Sequence, residues 1–96
     1  MQLAGKVALV TGAGRGIGRA LCREFQRRGA TGLVLADLDG DLARSTAAEL
    51  GGIGLQCDVA DAAAVAAMVH QAERHYGRVD VLVSNAGILI AEEVAE

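Results

Sequence analysis

Short apolar runs alternate with longer segments of helical periodicity along the 96-residue chain. This alternation is typical of βαβ units, in which a crossover helix returns the chain so that the next strand runs parallel to the last. We predict strands over residues 6–10, 32–36, 53–57 and 79–84, each followed by a turn or helix signal. With right-handed crossovers, the result is an incomplete, doubly wound parallel α/β sheet of about four strands and three helices.

Capping residues and apolar spacing predict where the three helices lie. The first begins at about Ile17, Asp39 or Asp41 caps the second, and Asp61 caps the third, because an aspartate carboxylate accepts from N–H groups of the first turn. Glycines end the three helices: Gly29 the first, Gly51 and Gly52 the second, and Gly77 the third. The predicted inward faces carry Ile17, Leu21 and Phe25; Leu42, Ala43, Thr46, Ala47 and Leu50; and Val65, Val69, Ala72 and Tyr76.

Composition excludes several classes of partner. A net charge of −3 with one Tyr and one Phe gives neither a basic stripe nor a stacking platform, so we expect no nucleic acid partner. No apolar run suits a signal peptide or a membrane span, so we expect a cytoplasmic protein with no membrane partner. Cys22 and Cys57 lack Cys-x-x-Cys spacing and are predicted to be buried free thiols.

Two histidines on the third helix are predicted to be solvated side chains. His70 and His75 are five residues apart, so they project about 140° from one another and cannot share a metal ion as helical ligands. We predict no metal site.

A glycine-rich turn, residues 11–18 (TGAGRGIG), follows the first predicted strand. Glycines let backbone N–H groups approach a pyrophosphate at a helix amino terminus, so the turn predicts an anion cradle. The spacing that fits is Gly12, Gly16 and Gly18, whereas Gly-x-Gly-x-x-Gly fails because its last position is Ile17. Asp37 ends the second strand 19 residues after Gly18, close to the offset at which a carboxylate receives the ribose hydroxyls of a dinucleotide.

This turn resembles the Thr-Gly-x-x-x-Gly-x-Gly fingerprint of the short-chain dehydrogenases/reductases. Asp58-Val59 resembles the family's Asp-hydrophobic pair beside the adenine ring, and residues 84–87 (SNAG) resemble its Asn-Asn-Ala-Gly motif with Ser in place of the first Asn. The resemblance covers nearly the whole chain and implies a Rossmann-type fold. It also implies hydride transfer between NAD(H) and an alcohol or carbonyl substrate.

The resemblance and the residue chemistry together define a cofactor site. Asp58 would accept from the adenine amino group, Val59 would form an apolar wall, and Asn85 would tie the end of the fourth strand to its neighbours. The predicted cofactor-binding residues are Gly12, Arg15, Gly16, Ile17, Gly18, Asp37, Leu38, Asp58, Val59, Asn85, Ala86 and Gly87.

The predicted cofactor is NAD rather than NADP. In the family, a basic residue at the Arg15 position can accompany NADP, whereas an acid at the Asp37 position favours NAD. A carboxylate facing the 2′-phosphate of NADP costs on the order of a few kcal/mol at ~4 Å, which a mobile surface arginine does not cancel.

The family's catalytic Tyr-x-x-x-Lys has no counterpart within the 96 residues. Tyr76 is followed four residues later by Asp80, and the sole lysine is Lys6. We therefore assign no catalytic residue, and expect an alcohol or carbonyl substrate only if the chain continues past Glu96. Two alternatives stay open, a nucleotide-binding stub without turnover and, more remotely, an S-adenosylmethionine-dependent methyltransferase, although that class generally has a Pro-containing motif after strand four.

The far edge of the fourth predicted strand is expected to lie unpaired. Residues 79–84 are rich in valine, with Asp80 as the only charge, and such an edge templates pairing with another chain. We therefore expect self-association or a homo-oligomer.

The 96-residue chain alone is predicted to oxidise no alcohol and to reduce no carbonyl. A cofactor held without an acid/base group forgoes the roughly 10²–10⁴-fold that assisted proton transfer contributes. NADH formation would be followed across a panel of secondary alcohols. A signal above blank that Gly16→Trp abolishes would contradict this expectation.

Overall fold

The computed structural model describes residues 2–14 and 16–84, together with the backbone of 87–90. In chain order, the strands and helices are β1 Val7–Thr11, α1 Gly16–Arg27, β2 Gly32–Asp37, α2 Gly40–Leu50, β3 Ile53–Gln56, α3 Ala62–Tyr76, β4 Val81–Ser84 and β5 Gly87–Ile90. The predicted strands and helices are all present, with ends shifted by one or two residues.

The sheet has the strand order β3-β2-β1-β4-β5. β1 pairs in parallel with β2 on one side and β4 on the other, and β2 pairs in parallel with β3. The direction of strand order therefore reverses at β1, which is the arrangement of a doubly wound sheet. The predicted Rossmann-type α/β fold, with four parallel strands and three helices, is confirmed.

A fifth strand differs from the sequence prediction. β5 pairs antiparallel with β4 in a register that joins Ser84 to Gly87 and Val81 to Ile90. The expectation that the far edge of the fourth strand lies unpaired is therefore wrong. The apolar segment 87–90 (GILI) supplies backbone partners to that edge, which an edge strand otherwise offers to another chain.

Helices cover both faces of the sheet, and alternate residues of β1 pack against the helices on the two faces. Ala8 and Val10 point to one face, where they pack with Phe25 of α1 and Leu50 of α2. Leu9 points to the opposite face, where residues of α3 pack. All five residues of β1 are buried, as expected for a parallel strand covered on both sides.

The predicted caps of α2 and α3 are confirmed. Asp39, not Asp41, caps α2 and accepts from the Leu42 N–H at 3.1 Å. The Asp61 carboxylate accepts from the first-turn N–H groups of α3, and Gly51 and Gly77 cap the carboxyl ends of the two helices.

The inward face of α1 is partly different from the prediction. Ile17 is 81% exposed, and the buried residues of α1 are Cys22 and Phe25. Ile17 stands in the first turn of α1, which is also part of the glycine-rich segment 11–18, and it lies outside the apolar cluster under the rest of the helix. Periodicity alone placed it in the core because it shares a helical face with Leu21.

The cysteines and histidines lie where the sequence predicted. Cys22 and Cys57 are buried and free, and burial raises the pKa of the Cys22 thiol to about 12. His70 and His75 are exposed. The described part of the chain contains no cluster of three or more His, Cys, Asp or Glu side chains suited to a metal, and none of its helices is long and apolar enough to cross a membrane.

The start of α1 packs directly on the backbone of the glycine-rich turn. A Cβ on Gly18 would lie 2.1 Å from the Gly12 carbonyl oxygen and 3.0 Å from the Ala13 Cα. These are backbone atoms, which cannot rotate out of the way as a flexible side chain can. A glycine is therefore required at residue 18 for α1 to approach β1 this closely.

Asp80 ties the beginnings of β1 and β4 together. Its Oδ2 accepts from the Val7 N–H at 2.8 Å and from the Arg78 Nε at 2.8 Å, and its own N–H donates to the Val7 carbonyl. Arg78 also donates to the Gly5 carbonyl. Burial alone would raise the pKa of Asp80, but the Val7 N–H and the charges of Arg78 and Lys6 outweigh it and lower that pKa from its ordinary 3.8.

Asp80→Asn is predicted to remove an acid-sensitive part of the stability. Because the pKa of Asp80 is lowered on folding, its contribution is present above the unfolded-state pKa and is lost as the pH falls through the folded-state pKa. The variant should lose about 1–2 kcal/mol of unfolding free energy at pH 7 and show a shallower decline below ~pH 4. Urea titrations from pH 2 to 7 measure both.

The control is Asp41→Asn, since the side chain of Asp41 is 97% exposed. It removes the same charge and should leave the unfolding free energy nearly unchanged. If the two variants had parallel pH profiles, the role assigned to Asp80 would be wrong.

Gly18→Ala is predicted to destabilise the chain although helix propensity predicts the opposite. Alanine is favoured over glycine in a helix interior by about 1 kcal/mol, but the clash with Gly12 costs about 1–3 kcal/mol as overpacking does, and more where backbone must move. Thermal unfolding should show a lower Tm. A higher Tm would mean that the backbone of the turn moves to accommodate the added methyl group without a net loss of stability.

Candidate functional site

The glycine-rich turn between β1 and α1 leaves open space at the amino terminus of α1. Gly12 and Gly16 have φ values of +65° and +60°, a region that other residues rarely adopt. Among the residues that the structure describes, a Cβ on Gly16 would meet no atom within 4 Å, so this part of the turn leaves room for a ligand. The first-turn N–H groups of α1 and the positive end of its dipole favour an anion at this place.

The middle of the turn, by contrast, is fastened to the rest of the protein. The Ala13 N–H donates to the Ala36 carbonyl at 3.1 Å, and the Gly14 N–H donates to Oδ2 of Asp37 at 3.0 Å. The Thr46 hydroxyl of α2 donates to the Gly14 carbonyl at 3.3 Å. The turn therefore combines an anchored centre with an open end.

Asp37 lies at the carboxyl end of β2, where the sequence placed it, and carries a structural role as well. Its Oδ2 accepts from Gly14 and its Oδ1 accepts from the Asp39 N–H at 3.0 Å. Each carboxylate oxygen has two lone pairs, so the half-buried group keeps acceptor capacity for ribose hydroxyls. The side chain both shapes the turn and faces the adjacent cavity.

This cavity, of about 240 Å³, lies where the carboxyl ends of three parallel strands meet. Its described lining residues are Gly12, Asp37, Leu38, Cys57, Asp58 and Val59. Five of these six were predicted to bind the cofactor, and Cys57 is the addition. The fold thus brings together residues that lie up to 47 positions apart in the chain.

Three large apolar side chains are exposed around this end of the sheet. Ile17 is 81%, Leu38 65% and Val59 52% exposed, and they are the large exposed hydrophobic side chains of the described residues. All three belong to the predicted site. Apolar surface left in water beside a cavity is typical of ligand-binding surfaces.

Asp58 is held in a tight turn at the end of β3. Its Oδ1 accepts from the Ala60 N–H at 2.9 Å, and its carbonyl accepts from the Asp61 N–H. The side chain is exposed at the cavity, which leaves further acceptor capacity towards a ligand.

The cavity wall is negatively charged. Asp37 and Asp58 both line it, and none of the lining residues that the structure describes is a cation. Burial, followed by the charges of Asp58 and Asp61, raises the pKa of the Cys57 thiol, so this cysteine is a protonated, weakly polar part of the wall.

The remaining predicted site residues are described only in part. Arg15, Asn85 and Ala86 lie outside the described residues. Gly87 begins β5, and its backbone pairs with Ser84.

Thr46 and Leu42 of α2 are contacts of the turn that the sequence did not predict, since both were assigned to the core. A Cβ on Gly14 would lie 2.7 Å from the Leu42 Cγ, so α2 packs against the turn without a gap. A hydroxyl on an otherwise apolar helix face is the one signal that could have identified Thr46, because a buried hydroxyl needs a partner.

Several curated proteins are similar in sequence to this chain. The chain is 45% identical over 91 residues to a (+)-cis,cis-nepetalactol synthase of Nepeta racemosa, covering 92% of this chain and 34% of that protein. It is 45% identical over 92 residues to D-threitol dehydrogenase of Mycolicibacterium smegmatis, covering 91% and 35%. The chain therefore spans about one third of the length of these curated relatives.

Solved structures share the fold as well. A short-chain dehydrogenase/reductase of Burkholderia phymatum in complex with NAD matches with a TM-score of 0.81 and 37% identity, over 85% of this chain and 31% of that one. A 3-ketoacyl-(acyl-carrier-protein) reductase of Brucella melitensis complexed with NADH matches with a TM-score of 0.79 and 39% identity, over 83% and 34%. The family model for short chain dehydrogenases matches residues 6–96, and the chain belongs to the short-chain dehydrogenase family.

Proposed function

We propose that this chain is the NAD-binding part of an oxidoreductase that transfers hydride between NAD(H) and an alcohol or carbonyl substrate. The observation that carries the proposal is the position of Asp37, whose carboxylate lines the cavity beside the open end of the glycine-rich turn. The similar structures that contain NAD or NADH, and the similarity to a D-threitol dehydrogenase, support it.

The residues present fit the adenosine end of a dinucleotide. A cavity of about 240 Å³ is smaller than the roughly 300–1,000 Å³ of pockets that enclose whole small ligands, as expected if only one end of the cofactor enters it. Leu38 and Val59 would flank the adenine ring with their exposed apolar surface, and Asp58 would accept from its amino group. Asp37 would accept from the ribose hydroxyls.

The pyrophosphate would lie over the open end of the turn. Gly16 leaves room there, and the first-turn N–H groups of α1 would donate to the phosphate oxygens. Arg15, Ile17 and Gly18, together with Asn85, Ala86 and Gly87, complete the proposed binding set. When bound, NAD would supply the nicotinamide carbon that accepts or releases the hydride.

The charge of the cavity favours NAD over NADP. Asp37 would face the position of the 2′-phosphate, and Asp58 adds a second negative charge to the same wall. Like charges at ~4 Å repel by about 4 kcal/mol at an effective dielectric of 20, and solvent reduces this for a half-buried group.

The part of this chain in the reaction is therefore to bind and orient the cofactor. We propose none of its residues as the catalytic acid or base. Homo-oligomerisation and a cytoplasmic location stay predictions.

The unmodified chain is predicted to bind NAD more tightly than NADP, and Asp37→Ala should narrow the difference. Asp37→Asn separates the charge from the bond to the turn, because the amide oxygen can still accept from the Gly14 N–H, although the amide nitrogen cannot accept from the Asp39 N–H. We expect Asp37→Asn to relax the NAD preference with a smaller loss of stability than Asp37→Ala. Calorimetric titration with both cofactors measures the ratio of the NAD affinity to the NADP affinity.

Asp41→Ala serves as the control, since it removes an exposed carboxylate of the neighbouring helix. Its ratio of NAD affinity to NADP affinity should equal that of the unmodified chain. Equal or tighter binding of NADP by the unmodified chain would refute the NAD preference, and binding of neither cofactor would refute the proposed function.

A further inference from the structure

We propose that Thr46 of helix α2 is a positioning residue for phosphate binding, which acts by holding the Gly14 carbonyl of the glycine-rich turn; this rests on the proposed function. Thr46 lies 32 residues from Gly14 in sequence, and its Oγ1 donates to the Gly14 carbonyl at 3.3 Å. Both residues are buried, and Thr46 is 2% exposed.

The direction of the Thr46 hydroxyl is unusual for a helical threonine. A threonine within a helix commonly donates to a carbonyl three or four residues earlier in the same helix. In α2, the Ser45 hydroxyl makes such a bond to the Leu42 carbonyl at 3.1 Å. Thr46 instead donates out of its helix, to the turn.

The other buried side chains of α2 show which residue types the packing of this helix face requires. They are those of Ala43, Ala47 and Leu50, all apolar. A hydroxyl group among them adds nothing to the apolar contact and must find a partner in the interior. The hydroxyl of Thr46 is therefore accounted for by its bond to the turn.

Gly14 is held through both of the peptide groups that flank its Cα, by side chains of different elements. Asp37, at the end of β2, receives its N–H, and Thr46 of α2 donates to its carbonyl. Leu42 packs at its Cα, at a distance that admits no side chain. The conformation of Gly14 is thus set by β2 and α2 together.

This constraint bears on phosphate binding because of where Gly14 lies. It stands between Gly12 and Gly16, whose positive φ values mark the two most permissive points of the turn. A turn with free glycines would have to be ordered by the ligand, at a cost in affinity. Bonds that fix Gly14 before the ligand arrives reduce that cost for phosphate binding. The cavity proposed for adenosine shares only Gly12 and Asp37 with this region, and its other described lining residues lie elsewhere.

The test compares two pairs of variants that differ mainly by one hydroxyl group: the unmodified chain with Thr46→Val, and Thr46→Ser with Thr46→Ala. The probes are adenosine, which lacks phosphate, and ADP, which carries the pyrophosphate. Removing the hydroxyl should weaken ADP binding by about three- to tenfold, the ratio that one neutral hydrogen bond supports. Adenosine affinity should change less than twofold, and Thr46→Ser should bind ADP as the unmodified chain does.

Ser45→Ala is the matched control, because it removes an exposed hydroxyl from the adjacent residue of the same helix. Its ADP and adenosine affinities should be unchanged. Equal ADP binding within both hydroxyl pairs would overturn the proposal. So would an equal loss of ADP and adenosine binding, which a merely structural role of Thr46 would produce.

Amide hydrogen exchange at Gly14 distinguishes the failure of this inference from that of the proposed function. The Gly14 N–H itself bonds to Asp37, so its exchange should become faster in Thr46→Val because residue 14 loses its second anchor, and it should be restored in Thr46→Ser, with or without ligand. If the unmodified chain bound neither adenosine nor ADP, the proposed function would fail, and the exchange rates would still decide whether Thr46 holds the turn. Unchanged exchange in Thr46→Val and Thr46→Ala would show that it does not.

Discussion

The parallel pairing of β1 with strands on both of its sides is the constraint on which the rest of the structure depends. β1 is buried throughout, and its backbone bonds are made to β2 on one side and to β4 on the other. Since parallel strands need crossover helices, this pairing requires helical connections, and those helices then cover the two faces. Asp80 stabilises the pairing of β1 with β4 at the amino ends of these strands, where its carboxylate accepts from the Val7 N–H.

The site follows from this pairing because parallel strands end at the same edge. The turn after β1, Asp37 after β2 and Asp58 after β3 all reach the carboxyl edge of the sheet and line one cavity. The direction of strand order reverses at β1, next to this cavity, and doubly wound sheets generally bind ligands at the carboxyl ends of the strands near such a reversal. Stability and the proposed binding therefore share residues, and Asp37 is the clearest case, since the carboxylate that fastens Gly14 also lines the cavity.

Most of the fold and much of the site could be predicted from the sequence. The strands and helices, the Asp61 cap and the buried cysteines follow from local signals such as apolar runs, capping carboxylates and glycines. Ile17 and β5 were mispredicted for different reasons. The periodicity of a helix does not show where its covering layer ends, so Ile17 was assigned to the core although it is exposed. A short apolar segment such as residues 87–90 does not itself specify which strand edge it will pair with.

The sequence by itself determined the order of strands and helices, the glycine spacing of the turn and the presence of an acid at the end of β2, because each depends on residues close together in the chain. Only the tertiary structure decided that Thr46 and Leu42 contact Gly14, that Cys57 lines the cavity and that Asp37 bonds to the turn. The physical reason is distance along the chain. Contacts between residues 20 or more positions apart depend on how whole helices and strands pack, and a buried hydroxyl shows only that it needs a partner, not which partner the fold will provide.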